Sequence, residues 1–227
     1  MKKLVLIIPL ILVFSCRNST NNSDCYVEIC SNANKLISKF DTIPTIDSDL
    51  IELKGDIREK VESFLQPKHA NEYLYFNVKQ NCDSLTSRKL SISFYFSEEN
   101  PTRLVTIYRF PLTLNTKGDV LFGPDIIDLD SLSTKIYNHY QGIGTPEFPD
   151  SYDKNKFTLA WDLGVDEKDF NKYIDQIIEG YLMFIELQCT AQFGKGLCQL
   201  ARTELDIIAK EYPFMLYIED YETIDVL

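Results

Sequence analysis

The 227-residue chain has few of the residue types on which common active sites depend. It contains two histidines, one tryptophan and three methionines. His69 and His139 lie far apart in sequence, and neither belongs to an HExxH or Cys/His arrangement, so they predict no metal site or catalytic triad. The G-x-S-x-G, Walker A and G-x-G-x-x-G patterns are also missing. The sequence therefore predicts no enzymatic activity, no cofactor and no metal.

Basic residues are scarce relative to acidic ones. The chain carries 23 Lys and Arg against 34 Asp and Glu, which gives a formal net charge of -11, and no run of basic residues offsets it. Such a surface repels phosphate backbones and anionic lipid headgroups, so a nucleic-acid partner is not expected. The hydrophobic fraction of 44% is nevertheless that of a globular chain with a sizeable core.

No hydrophobic run is long enough to cross a bilayer as a helix, which needs roughly 20 apolar residues. The apolar run at the N-terminus covers only residues 4–14 and is interrupted by Pro9. Lys2 and Lys3 precede this run, and Ser15 and Cys16 follow it. A short positive region before a short apolar run is typical of a secretory signal peptide.

The four residues VFSC at 13–16 resemble the lipobox of bacterial lipoproteins. An aliphatic residue lies three positions before the cysteine, a small residue directly before it, and the cysteine receives the lipid. The resemblance implies a signal peptide at 1–15, a mature chain that begins at Cys16 and a palmitate-type membrane anchor. Cleavage would remove two lysines and leave 21 basic against 34 acidic residues, a charge of -13. The alternative is an ordinary signal peptide with a cysteine near its cleavage site by chance, although an A-x-A-like site is missing.

The residues after this cysteine predict a tether. Residues 16–24 are polar apart from the cysteine itself, as expected for a segment that holds a domain away from a membrane. The leader resembles those of Bacteroidota lipoproteins, in which an acidic run just after the cysteine marks export to the cell surface. Because that run is missing here, the resemblance favours a cell-envelope protein that faces the periplasm.

The hydrophobic pattern of the rest predicts an α+β fold, with a mixed, largely antiparallel sheet and helices packed mainly on one face. An N-terminal helical segment is expected at 25–66, with a helix after Asp24 and a second after the cap cluster at 47–49. The α+β domain is expected at 70–227. Its predicted strands include 74–78, 90–96, 103–115, 120–122, 157–161, 181–187 and 214–218, and its predicted helices lie at 129–140, 166–180 and 197–209. Pro111 is expected at a sheet edge or a bulge, and residues 115–119 are predicted to form a turn. Asp128 is the predicted cap of the helix at 129–140, and His139 is expected on the polar face of that helix or near its C-terminal carbonyl groups.

Lipidation would leave five of the six cysteines, an odd number, so at least one thiol stays unpaired in an oxidising envelope. Cys189 and Cys198 flank a Gly-rich turn that would let two adjacent elements be joined, and they form the predicted disulfide. Cys25 and Cys30 would lie on different faces of one helix, and Cys82 is the expected free thiol.

Two regions are candidates for function. The loop at 142–150 contains Gly142, Gly144 and Phe148 and is predicted to present an aromatic anchor to a partner, the alternative being a crossover with Phe148 packed on the sheet. Acidic residues cluster around Asp162 and Asp166. They are interpreted as the N-terminus of a helix, where acids complement the dipole, in preference to a glycosidase-like pair.

Residues 112–187 resemble the periplasmic domain of the ExbD/TolR biopolymer-transport family. The matching segments are LTLNTKGDVLFGP for a hairpin, DLDSLSTKIY for a helix, FTLAWD for a strand, DFNKYIDQIIEG for a helix and YLMFIELQ for a final strand. The resemblance implies that family's fold and its binding of envelope partners. The family's transmembrane helix with its proton-coupling aspartate has no counterpart in the leader, so energy transduction is not implied.

The sequence thus predicts a lipid-anchored cell-envelope protein that acts by binding a protein or peptidoglycan, as an accessory of an envelope complex or transport system. One alternative is a toxin-immunity lipoprotein that neutralises a basic effector by charge complementarity. A third hypothesis is an envelope hydrolase that uses the carboxylates around Asp162 and Asp166.

Overall fold

The computed structural model describes residues 29–38, 45–49, 74–81, 87–95, 109–143, 152 and 156–219. The predictions for Cys16, Cys25, Cys82, Gly144 and Phe148 lie outside these residues. In chain order the elements are α1 (Ser31–Ile37), β1 (Thr45–Asp49), β2 (Leu74–Asn81), β3 (Ser87–Tyr95), β4 (Arg109–Leu114), β5 (Asp119–Phe122), β6 (Asp125–Asp128), α2 (Leu132–Tyr140), β7 (Lys156–Trp161), α3 (Glu167–Phe193), α4 (Arg202–Glu211) and β8 (Leu216–Glu219). Short 3-10 turns at Leu129–Ser131 and Leu197–Gln199 precede α2 and α4.

The described strands form one sheet in the order β1-β2-β3-β8-β7-β4-β5-β6. The pairs β2–β3, β4–β5 and β5–β6 are antiparallel, whereas β1–β2, β3–β8, β8–β7 and β7–β4 are parallel. The predicted α+β class with a mixed sheet is confirmed. Its parallel centre arises because β8, the last described strand, enters between β3 and β7.

Helices α2 and α3 pack on one face of the sheet. Leu112, Leu159 and Trp161 point to that face and are buried. The Trp161 ring lies 4.9 Å from the ring of Phe170 on α3, and the Tyr173 hydroxyl donates a 2.8 Å hydrogen bond to the carbonyl oxygen of Leu112. The main hydrophobic core therefore lies between the sheet and these two helices.

The opposite face of the sheet is buried at its centre as well. Thr158 on β7 lies opposite Tyr217 on β8, and both side chains are buried, as is Ser91 on β3. The Oγ of Ser91 and the Oγ1 of Thr158 make no hydrogen bond. Because alternate strand residues point to opposite faces, these hydroxyl groups lie on the side away from α2 and α3.

Helix α3 runs for 27 residues, so the predicted stop at Gly180 and the predicted strand at 181–187 are wrong. A Cβ added at Gly180 would lie 2.5 Å from the carbonyl oxygen of Ser133 and 2.6 Å from the Cβ of Ile136. The glycine therefore permits a close crossing of α2 over α3. The apolar run after it follows the helical period, since Phe184 and Ile185 are buried while Met183 is exposed. The last strand of the ExbD/TolR-like pattern accordingly lies in a helix.

Two further predictions are corrected near the chain's strands. The cap cluster at 47–49 belongs to strand β1, which pairs in parallel with β2, so a helix does not begin there. Pro111 was expected at an edge or a bulge, but it lies in β4 between β5 and β7, in continuous register with β7. Its carbonyl oxygen accepts a hydrogen bond from the Gly123 N–H instead. Pro111 has no backbone N–H to donate, but its carbonyl oxygen still accepts a backbone hydrogen bond.

The disulfide joins Cys30 and Cys198, not Cys189 and Cys198 as predicted. Cys189 is a free thiol that α3 directs into the core. Cys198 lies in the 3-10 turn beside α1, with a Cα–Cα distance of 6.0 Å to Cys30. The side-chain amide of Asn32 donates hydrogen bonds to the carbonyl oxygens of Leu197 and Leu200, at 3.0 and 3.1 Å. The side-chain hydrogen bonds of Asn32, as well as the disulfide, therefore hold α1 against this turn.

Candidate binding surface

Two successive tight turns build the end of the sheet formed by β4, β5 and β6. In the first turn, the Oδ1 of Asn115 accepts hydrogen bonds from the backbone N–H groups of Lys117 and Asp119, at 2.8 and 2.9 Å. Gly118 has a φ of 80°, a left-handed conformation that favours glycine. The turn predicted at 115–119 is confirmed, and it returns the chain antiparallel to β4.

The second turn consists of Gly123 and Pro124 and was not predicted. Gly123 has a φ of 58°, and a Cβ there would lie 2.8 Å from the Phe110 ring. Only glycine fits this site without displacing the ring. A two-residue turn that contains glycine, placed between VLF and DII, is a hairpin signal that the sequence contains. Strand β6 follows it, and Asp128 then precedes the 3-10 turn that leads into α2, close to its predicted position as a cap.

Strands β5 and β6 expose an apolar pair on the face opposite α2 and α3. Leu121 lies directly opposite Ile126, and their exposed fractions are 40% and 75%. Thr113 on β4 neighbours Leu121, and Ala160 on β7 neighbours Thr113. Both are partly buried. These four residues form a row across four strands, and we call the row Thr113, Leu121, Ile126 and Ala160 the outer patch.

The outer patch is bordered by acidic side chains. Asp119 lies opposite Asp128 on the same face, and Asp125 begins β6. Residues 119–128 contain these three aspartates and neither lysine nor arginine. The Nδ2 of Asn115 donates a 3.2 Å hydrogen bond to the Asp119 carboxylate. Like charges directly opposite one another on paired strands destabilise the pair, so this edge favours a cationic neighbour.

The loop predicted to bind a partner is described only at its start. Gly142 has a φ of 70° and donates a 2.9 Å backbone hydrogen bond to the His139 carbonyl oxygen at the end of α2. Ile143 beside it is exposed. Gly142 therefore ends the helix, and binding by this loop stays a prediction.

The acidic cluster forms the N-terminus of α3, as interpreted from the sequence. Asp166 is the N-cap, and its Oδ1 accepts a 2.8 Å hydrogen bond from the Asp169 N–H. Glu167 and Asp169 occupy the first turn, where negative charge complements the helix dipole. In the part of the chain that the structure describes, three or more His, Cys, Asp or Glu side chains nowhere converge as metal ligands would.

His139 lies in the core, whereas the sequence predicted that it would lie on the polar face of its helix or interact with the helix's C-terminal carbonyl groups. It is buried, and its ring centroid lies 4.4 Å from that of Phe110 and 5.2 Å from that of Phe157. The Phe122 and Tyr140 rings complete the cluster. Phe122 also packs 4.5 Å from Phe110. This aromatic cluster supports the inner side of the hairpin whose outer side carries the outer patch.

Cys189 and Glu204, which lie outside the outer patch, are among the groups with shifted pKa values. Burial, and to a lesser extent the nearby Glu186 charge, raises the pKa of the Cys189 thiol to about 11. The side-chain hydrogen bond from Lys195, supported by the Ala201 N–H, lowers the pKa of Glu204. Cys189 is therefore a protonated core side chain at neutral pH, whereas Glu204 helps to begin α4.

Comparison with protein-family models, curated proteins and solved structures finds no match for this chain. Among the described residues, no helix is both long and apolar enough to cross a membrane.

Proposed function

We propose that this protein is a lipid-anchored cell-envelope protein that acts by binding a protein partner. The leader with Cys16 supports the location, because its charge, length and last four residues fit a lipoprotein signal. The outer patch supports the activity. Its pair of exposed large side chains, Leu121 and Ile126, is the observation on which the binding function depends.

An exposed apolar group at the end of a sheet favours association. Single exposed hydrophobic residues are common on protein surfaces, whereas adjacent ones with a polar border mark interaction sites. Leu121 and Ile126 are cross-strand partners, and Asp119 and Asp128 form the next pair on the same face. This arrangement matches an interface with an apolar centre and a polar rim.

The test is to recover the partner from intact cells. The full-length chain with a C-terminal tag would be cross-linked in the cells that produce it and purified under denaturing conditions. The control is a reporter protein that carries only residues 1–24 of this chain. We expect an envelope protein to be enriched with the full chain and not with the reporter, and recovery of the tagged chain alone would contradict the binding function.

A toxin-immunity lipoprotein is a second candidate, favoured by the charge of the same surface. Three aspartates and no basic residue at 119–128, in a chain of net charge -11, fit a basic effector. Expression of the chain in a sensitive strain should then protect it from a competitor that delivers the effector. Full sensitivity of that strain would exclude this candidate and leave the envelope-accessory function in place.

A further inference from the structure

We propose that β6 is a docking edge, at which a partner adds, as a further strand, an extended segment in which two adjacent apolar residues are flanked by basic ones. This inference rests on the proposed binding function and names the chemistry of the partner. Four observations carry it: the position of β6 in the sheet, the exposure of its side chains, its charge and its mismatch with a second copy of itself.

The position of β6 leaves half of its backbone groups available. It is the last strand in the sheet order, and in the described part of the chain it pairs with β5 alone. Alternate residues of an antiparallel strand direct their N–H and C=O groups toward the neighbour and away from it. Two of its four residues therefore present donors and acceptors to an added strand, which is how sheet edges bind peptides.

The exposed side chains set the contact that an added strand would make. Asp125, Ile126 and Asp128 are exposed, and Ile126 is exposed to 75% although its neighbour Leu121 lies directly opposite. A strand paired with β6 would place an apolar side chain next to Ile126 on the outer face. It would extend the row of the outer patch by one residue and bury the Ile126 side chain.

Charge decides which strand fits. Asp128 shares the outer face with Ile126, whereas Asp125 precedes Ile126 and points to the other face, since strand residues alternate. Any strand paired along β6 meets a carboxylate at each end of the apolar centre. Lysine or arginine at those positions would form opposite-charge cross-strand pairs, and glutamate or aspartate would add like-charge pairs.

A second copy of this chain does not supply the basic side chains. Residues 119–128 of a second copy carry three aspartates and neither lysine nor arginine, and each chain has a net charge of -11. Pairing of two β6 edges would therefore bring two acidic segments together.

The binding test uses the full-length chain in zwitterionic detergent micelles and a fluorescein-labelled, end-blocked peptide of sequence TKVVKT, whose lysines can lie beside Asp125 and Asp128 while a valine lies beside Ile126. Ile126→Lys is expected to weaken binding by about tenfold or more, because it replaces the apolar contact with a like charge. Ile207→Lys is the matched control, since Ile207 is exposed to 50% on α4, and its affinity should stay within about twofold of the unchanged chain.

Peptide charge and backbone protection complete this test. The acidic peptide TEVVET should bind about tenfold more weakly than TKVVKT or not at all. Hydrogen exchange of residues 119–128 should slow when TKVVKT is present. Equal affinity of the Ile126→Lys chain, equal affinity of the acidic peptide, or unchanged exchange in this segment would each overturn the docking edge. Unchanged urea unfolding of Ile126→Lys would show that the variant is folded.

Two further outcomes separate this inference from the proposed function. If the unchanged chain captures an envelope partner in cells and Ile126→Lys captures it equally, binding stands and the docking edge is wrong. If sedimentation shows a dimer that Ile126→Lys dissociates, the occupant is a second copy and the proposal is overturned. A chain that captures no partner in cells contradicts the proposed function, whereas the peptide measurements still decide the edge.

Discussion

The cysteines show how neighbours in space, more than neighbours in sequence, set the chemistry of a side chain. Cys189 and Cys198 are nine residues apart, but α3 buries the first in the core, and the turn at Leu197–Gln199 presents the second to α1. Glu186 on α3 accepts a 2.8 Å hydrogen bond from the Leu197 N–H and so holds this turn in place. Cys198 therefore meets Cys30, which lies 168 positions away.

We expect the disulfide to be detected as a cross-linked peptide and to raise the free energy of unfolding. Peptide mapping under non-reducing conditions should find Cys30 joined to Cys198. The double variant Cys30→Ala with Cys198→Ala should lose about 2 to 5 kcal/mol of unfolding free energy, because the cross-link restricts a long loop in the unfolded chain. Urea unfolding measures the loss, and a peptide that joins Cys189 to Cys198 would contradict the pairing.

The free thiol of Cys189 is expected to react slowly in the folded protein. With a pKa of about 11, only about one thiol in a thousand is ionised at pH 8. Alkylation by iodoacetamide at pH 8 should be about a hundredfold slower or more than in guanidinium, where the thiol regains its ordinary pKa. Mass spectrometry of the peptide that contains Cys189 measures both rates, and fast labelling of the native chain would be inconsistent with a buried thiol.

At the scale of elements, Gly123 in the β5–β6 hairpin and Gly180 in α3 have opposite effects on the secondary structure around them. Gly123 turns the chain, because its positive φ and the nearby Phe110 ring exclude a Cβ. Gly180 instead continues a helix, because α2 crosses it closely. The same residue type thus ends one element and lets another pack. The backbone conformation of Gly123 and the contact of Gly180 with α2 distinguish the two roles.

Gly180→Ala is expected to destabilise the fold. An added Cβ would overlap Ser133 and Ile136 and push α2 from α3, which should outweigh the gain in helix propensity and cost about 1 kcal/mol or more. Met183→Ala on the exposed side of α3 is the matched control and should change stability by less than about 0.5 kcal/mol. Urea unfolding compares the two, and a stabilised Gly180→Ala chain would argue against the close crossing.

At the scale of the whole molecule, distant parts of the chain complete one sheet and one core. Strand β8 lies between β3 and β7, so the final described strand joins the hairpin β2–β3 to the strands that carry the outer patch. Ala33, Leu36 and Ile37 of α1 belong to the same buried cluster as Leu216 and Ile218 of β8. The N-terminal segment and the domain after it are therefore packed together where they are described.

Anchoring is the whole-molecule property that the leader predicts. Cells fed an alkyne-bearing palmitate analogue should label the full chain, and Cys16→Ser should remove the label and release the protein from the membrane fraction. Cys25→Ser is the control and should keep both the label and the membrane location. Labelling that survives Cys16→Ser would show that the lipid, if present, is attached elsewhere.

Several features followed from the sequence alone because short-range physics produces them. The α+β class, the Asn115 turn, the Asp166 cap and strand β7 depend on hydrophobic period and on hydrogen bonds across a few residues. The composition likewise showed that the chain is acidic. It did not show that aspartates lie along one edge strand, because the turn at Gly123 and Pro124, and with it strand β6, was not predicted.

Tertiary structure decided the rest. The order of the strands, the continuation of α3 through Gly180, the Cys30–Cys198 disulfide and the exposure of Ile126 at the edge of the described sheet each depend on segments far apart in the chain. The sequence determined the local elements and the net acidity, because propensity and charge are properties of the residues themselves. Which apolar residues are buried and which remain exposed was set by how those elements pack, because burial belongs to the assembled sheet and helices.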